Sequence, residues 1–283
     1  MADARVLVLG ATGGQGGAVV DALLARGRKV RALLRDPASR SARRLAEQDV
    51  EVVAGSFDDT ESLAVAMQGV SGVFALTTPF EAGVHAEVRQ GRAIVAAARQ
   101  ARVPHLLFSS VAGANQHTGV PHFDSKAVIE TEIATAGVPY TILGPTYFFD
   151  NALGGTDQIL GGVLELPLPS GRPLQQLARP DLGAFAAEVL AHPDRYLSKR
   201  IELASDAPTP AQMATALSGV LGRPVRYEPV PLEAIGNPDM HAMWKFLNGP
   251  GYQVDITALR DAHPHLNWTS FADWASHTFA AAS

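Results

Sequence analysis

A parallel, doubly wound α/β fold is predicted by three observations. Short β-branched apolar runs alternate with Ala- and Leu-rich segments of helical spacing through the first half of the chain. The runs are too apolar to leave one face in water, as strands covered on both sides by helices must be. A glycine-spaced turn, Gly10-Ala-Thr-Gly13-Gly-Gln-Gly16, joins the first run to the first helical segment.

Strands are expected at 5–9, 29–34, 50–54, 72–76 and 105–108, with helices between them at 16–26, 40–48, 60–67 and 84–101. The alternation continues with a helix at 125–136, which Gly137 stops, and a sixth strand at 139–143. From Thr146 onward Gly, Pro and aromatic residues break the segments up, notably at Gly154-Gly155, Gly161-Gly162 and 167–173. A helix at 181–191 and a strand at 200–203 are placed to return to the sheet. The expected division is a nucleotide-binding domain at 1–150, rejoined by 181–204. A smaller interleaved α/β region, 151–180 and 205–283, covers the substrate.

Composition narrows the function. With 47% apolar and 18% charged residues, the 283-residue chain can bury a sizeable core, so global disorder is not expected. A formal charge of −5 gives no footprint for nucleic acid, which needs clustered Lys and Arg on one face. The absence of cysteine removes disulfides, thiolate metal sites and cysteine nucleophiles. Met1-Ala-Asp-Ala-Arg5 leads straight into an apolar strand without a leader pattern, and no run of apolar residues is long enough to span a bilayer. A cytoplasmic protein without membrane contact, monomeric or homodimeric, is expected.

The glycine turn is the strongest local signal. Gly10 makes the exit from the strand, Gly13 lets backbone approach a pyrophosphate, and Gly16 lets the helix pack on the sheet, with Thr12 and Gln15 as further contacts. Amides at the start of the helix then face the anion. A turn without ligand is the other reading, but three glycines at three-residue intervals are costly unless close approach requires them. In this context a Rossmann-type dinucleotide site is expected.

The chain resembles the short-chain dehydrogenase superfamily, and within it the atypical NmrA-like branch. The resemblance rests on the GxxGxxG turn, Arg35, Thr77-Thr78-Pro79, His122-Phe-Asp-Ser-Lys126 and Gly144-Pro-Thr-Tyr-Phe-Phe-Asp-Asn151. The branch includes quinone reductases and NADP(H)-sensing regulators. Ordinary members of the superfamily place a Tyr four residues before a Lys; here His122 stands before Lys126. The resemblance implies that Lys126 holds the nicotinamide ribose and helps direct a proton.

The remaining candidates follow from position and charge. After the second strand an NAD-selective site places a carboxylate, whereas this chain has Arg35, which can fork onto a 2′-phosphate with Arg31 or Arg40 as helpers, or can be a solvated surface charge. NADP(H) is therefore expected over NAD(H). Ser56 and Phe57 end the third strand, and Thr77, Thr78 and Pro79 the fourth, where ligands of open sheets lie. His122 is either a proton donor or a loop histidine, and Ser109 or Ser110 either orients a substrate carbonyl or caps a strand.

Tyr147 and Phe149 are expected against the cofactor, and Phe148, Asn151 and Trp244 against the substrate, with Met240 and Phe246 helping to close the pocket. His263-Pro-His265 lacks matching ligands, so no metal site is expected. The leading expectation is an NADPH-dependent oxidoreductase passing hydride to a small electron-poor acceptor such as a quinone. The alternative is a non-catalytic NADP(H) sensor that binds a protein partner, motivated by the missing Tyr.

Overall fold

A computed structural model describes residues 5–280. Residues 1–4, where the sequence reading finds no leader, and 281–283, the end of its last region, lie outside the described residues. In chain order the strands are β1 (Val6–Leu9), β2 (Val30–Leu34), β3 (Glu51–Ala54), β4 (Gly72–Leu76), β5 (Leu106–Ser109), β6 (Tyr140–Pro145), β7 (Tyr147–Phe148), β8 (Val163–Leu166), β9 (Gln176–Leu177), β10 (Lys199–Leu203) and β11 (Arg226–Pro229). The helices are α1 (Gly14–Ala25), α2 (Arg40–Glu47), α3 (Thr60–Met67), α4 (Val84–Gln100), α5 (Pro121–Thr135), α6 (Thr156–Leu160), α7 (Arg179–Ala191), α8 (Pro210–Leu221), α9 (Pro238–Asn248), α10 (Ile256–Ala262) and α11 (Phe271–Phe279).

Seven strands form one parallel sheet in the order β10-β6-β5-β4-β1-β2-β3. β1 sits between β2 and β4, with Val6 opposite both Val30 and Gly72. Strand order therefore reverses beside β1, and the crevice at the carboxyl ends of β1 and β4 is where such sheets bind ligands. Alternation along β1 shows why both faces must be apolar. Val6 and Val8 join α1 and α7 side chains such as Val19, Leu23 and Phe185. Leu7 and Leu9 point the other way, into a core built with α3, α4 and α5 through Leu63, Ile94 and Ile129. Fully burying each such side chain stabilises the fold by roughly 1.5–3 kcal/mol.

The later chain builds its own core, in which Phe149, Leu164, Met213, Leu217, Trp244 and Phe271 meet. Pairs β8 with β11 and β7 with β9 are short and parallel, and β10 lies on the edge of the large sheet against β6. No helix among the described residues is long and apolar enough to cross a membrane.

Several boundaries differ from the periodicity reading, and three of them have a clear local reason. α1 starts at Gly14, because Gly13 is extended and ends the turn. β6 runs on to Pro145, paired with Leu203 of β10. α5 begins at Pro121, four residues before the expected start, with proline in a first turn that has no use for its missing N–H. This extension places His122 on the helix rather than in a loop.

Candidate active site

The site begins at the turn after β1. Gly10 has φ +67°, the left-handed region that favours glycine. The Gly13 amide donates to the Gly10 carbonyl at 2.9 Å. A Cβ on Gly16 would lie 2.1 Å from that same oxygen, so the helix can start this close only with glycine there. No side chain caps α1, which leaves first-turn amides free for an anion.

One arginine here escapes the sequence reading. A Cβ on Gly14 would lie 2.5 Å from the guanidinium carbon of Arg179, which reaches over from the first turn of α7. Asp150 steadies it at 3.5 Å. A second cation therefore stands at the opening of α1, brought by an element far away in sequence.

From this turn a cleft of about 860 Å³ runs along the carboxyl edge of the sheet. Gly10, Thr12, Gly13, Gln15, Gly16, Arg35, Ser56, Phe57, Thr77, Thr78, Pro79, Ser110, His122, Lys126, Tyr147, Phe148, Asn151 and Trp244 all line it. Phe149 does not. It is fully buried against Phe271 and Trp274, because the 3-10 turn that begins there aims its ring into the later core, and the expected cofactor contact is withdrawn. Phe246 likewise packs on Phe123 and Tyr252 instead of lining the cleft.

At one end Arg35 is 80% exposed and faces Glu81 at 3.7 Å, an exposed pair weak enough for a phosphate to replace. Arg31 cannot help it: its guanidinium is bound to Glu51 at 2.9 Å and to the carbonyls of Ala66 and Gln68. Arg40 does not line the cleft, whereas Ser39 and Ser41 do.

Midway, the Lys126 ammonium is buried. It donates to the carbonyl and hydroxyl oxygens of Thr77 and pairs with Glu87 at 2.9 Å. Burial pulls its pKa below the ordinary lysine value, while Glu87 and then Glu130 pull the other way. With these partners its three protons are taken, so a bond to a ribose requires Thr77 or Glu87 to release one. The serines are similarly committed. Ser109 is buried outside the cleft lining and donates to Gln15 at 2.7 Å. Ser110 donates to Glu130, itself held by Arg200, so toward the cleft Ser110 offers only acceptor capacity, and its expected donation to a substrate carbonyl is corrected.

The far end is apolar and aromatic. Tyr147 lies 5.4 Å from Trp244, and burial raises its phenol to about 12, against a hydrogen bond with Asn151. Burial also raises Tyr252, followed by the influence of Tyr147 and Glu202. Met240 and Met243 of α9 and Phe80 complete the wall. His122 joins this end, its ring 5.6 Å from Phe80 and its Nδ1 2.5 Å from Asp239 of α9. Phe80, Asp239, Tyr252 and Met243 are absent from the sequence reading, since no spacing rule links them to the turn after β1.

The profile of the NmrA-like family matches residues 2–274. An NAD(P)H azoreductase from Xenophilus azovorans is 31% identical over 229 residues, which is 81% of this chain and 78% of that protein. An NADPH-dependent quinone oxidoreductase from Escherichia coli, solved with NADPH, superposes with a TM-score of 0.82 at 26% identity, covering 97% of this chain and 100% of the other. A Citrobacter sp. triphenylmethane reductase, solved with NADP(H), gives a TM-score of 0.81 at 26% identity over 96% of this chain and 99% of its own.

Proposed function

The chain belongs to the NmrA-like family, and on that premise we propose that it is an NADPH-dependent oxidoreductase that reduces a small, planar, electron-poor acceptor such as a quinone. One observation carries the reading: an uncapped helix start pressed onto a glycine turn opens into a single cleft that is cationic at one end and aromatic at the other.

The residues fit a dinucleotide. Its pyrophosphate would rest on the α1 amides, where any Cβ at Gly16 would collide with Gly10, and Arg179 stands over the same place. A 2′-phosphate would take Arg35 from Glu81, with Ser56 and Phe57 alongside. Thr77, Thr78, Pro79 and Lys126 would border the ribose and nicotinamide, and Tyr147 the nicotinamide ring. When bound, the reduced nicotinamide supplies hydride. The protein aligns the acceptor between Phe148, Trp244 and the methionines of α9, and keeps water from the reacting face. The azoreductase, the quinone oxidoreductase and the triphenylmethane reductase support an acceptor of this class.

The test is calorimetry with NADPH and NADH, followed by NADPH oxidation against quinones, azo dyes and triphenylmethane dyes. Tighter NADPH binding and turnover of at least one acceptor are expected. Absence of binding by both nucleotides would overturn the reading.

A further inference from the structure

Reduction of such an acceptor by hydride leaves negative charge on a heteroatom, which a proton must meet. On the chain's own side the donors are few. Lys126 and Ser110 have given their protons to protein groups, and burial makes the Tyr147 and Tyr252 phenols weaker acids than usual. His122 lies on the acceptor side with one ring nitrogen occupied, and no partner is found for Nε2 among the described residues.

Resting on the oxidoreductase reading, we propose that Asp239 is a positioning residue. It holds the His122 ring with Nδ1–H directed at its carboxylate and Nε2 directed at the acceptor, so that His122 protonates the reduced acceptor. A carboxylate only accepts, so the 2.5 Å contact assigns the hydrogen to Nδ1. The same carboxylate oxygen also takes the His122 backbone amide at 3.4 Å, and therefore sits against the first turn of α5 while belonging to the first turn of α9. Both helix starts favour an anion there. Asn237 caps α9 by accepting from the amides of Asp239 and Met240, which fixes the turn that carries the carboxylate. Phe80 and Phe123 hold the imidazole from two other sides.

Hydride from a reduced nicotinamide gives the acceptor two electrons and one hydrogen. The imidazolium breaks its Nε2–H bond and the acceptor heteroatom gains that proton, leaving neutral His122 with Nδ1–H still on Asp239. Water then restores the proton. Because α9 also supplies Met240, Met243 and Trp244 to the cleft wall, seating of this helix assembles the acceptor pocket and orients the donor together.

The test begins without turnover. Nitrogen NMR of the His122 ring, taken above the ordinary histidine titration range, should show Nδ1 protonated and Nε2 bare in the wild type, and a loss of that preference in Asp239→Asn. A wild-type ring protonated at Nε2, or one unchanged by the substitution, overturns the proposal. In turnover, Asp239→Asn and His122→Gln should each lower kcat about a hundredfold, the double variant little further, with NADPH affinity and melting temperature retained. Tyr252→Phe is the competing donor's control. A loss in Tyr252→Phe without one in His122→Gln overturns the assignment. If the wild type binds NADPH yet reduces no acceptor, the oxidoreductase reading and the proton-donor role of His122 fail together, whatever tautomer the spectrum shows. Turnover with undiminished kcat in Asp239→Asn removes the Asp239 role alone.

Discussion

The two ends of the cleft are built by different means. The turn after β1 is made of backbone held at contact distance, with Gly10, Gly13 and Gly16 in one seven-residue stretch. The acceptor end is made of side chains from the exit of β4, the start of α5, β7 and α9, elements spread over more than half the chain. A backbone cradle tolerates no added atom, whereas a wall of aromatic and thioether side chains can readjust. Substitutions at the two ends should therefore differ in kind: loss of fold and cofactor at one, graded loss of acceptor at the other.

The largest effect is expected from Gly16→Ala. Its Cβ would overlap the Gly10 carbonyl, so α1 must retreat, costing about 3 kcal/mol of stability and at least about a hundredfold in NADPH affinity. Chemical denaturation and calorimetry check this. Gly183→Ala asks whether the rigidity extends behind the turn. A Cβ there would stand 2.2 Å from the Ala18 carbonyl, where α7 crosses α1, and a loss of about 2–3 kcal/mol is expected with weaker NADPH binding. Unchanged melting of either variant would break the contrast.

A pH effect of similar size should arise in the sheet, away from the cleft. His105 is buried beside Thr141, and burial lowers its pKa to about 4, with Asp194 opposing. Thr141 gives its own hydrogen to the Tyr196 carbonyl, so it accepts from His105 Nε2. The folded state thus resists a proton that the unfolded chain accepts near 6.5. Stability is full above that value and falls as pH drops toward 4, by up to about 3 kcal/mol. His105→Asn should flatten that part of the stability curve in denaturant titrations.

Smaller changes sharpen the comparison. Arg35→Glu should lower NADPH affinity at least about tenfold while leaving NADH nearly untouched; equal losses would remove Arg35 from the phosphate site. Met240→Ala should raise the acceptor KM about three- to fourfold without altering NADPH binding, as one trimmed apolar contact implies. Parallel titrations with nucleotide and acceptor distinguish these outcomes.

Legibility follows the same division. The first strands and helices are read within a residue or two, because alternation and helical spacing are local properties that the sheet leaves intact. The start of α5 is read late, since Pro121-His122-Phe123 carries no capping side chain, although proline in a first turn is a usable signal. Phe149 is misassigned because position after β6 does not say on which side of a 3-10 turn a ring emerges. Arg179 and Asp239 leave no trace in spacing at all. Their partners, Asp150 and His122, lie 29 and 117 residues away, and only packing sets those distances.

By itself the chain determined the parallel sheet, the glycine cradle and the cation after β2, since alternation marks each strand locally and the other two lie within one strand-turn-helix stretch each. Tertiary structure alone decided which polar hydrogens remain for chemistry. Thr77 and Glu87 take those of Lys126 and Glu130 takes that of Ser110, while Asp239 takes one from His122 and leaves Nε2 without a partner among the described residues. Proton ownership is settled by contacts a few ångströms long between distant segments, a scale at which spacing along the sequence carries no information.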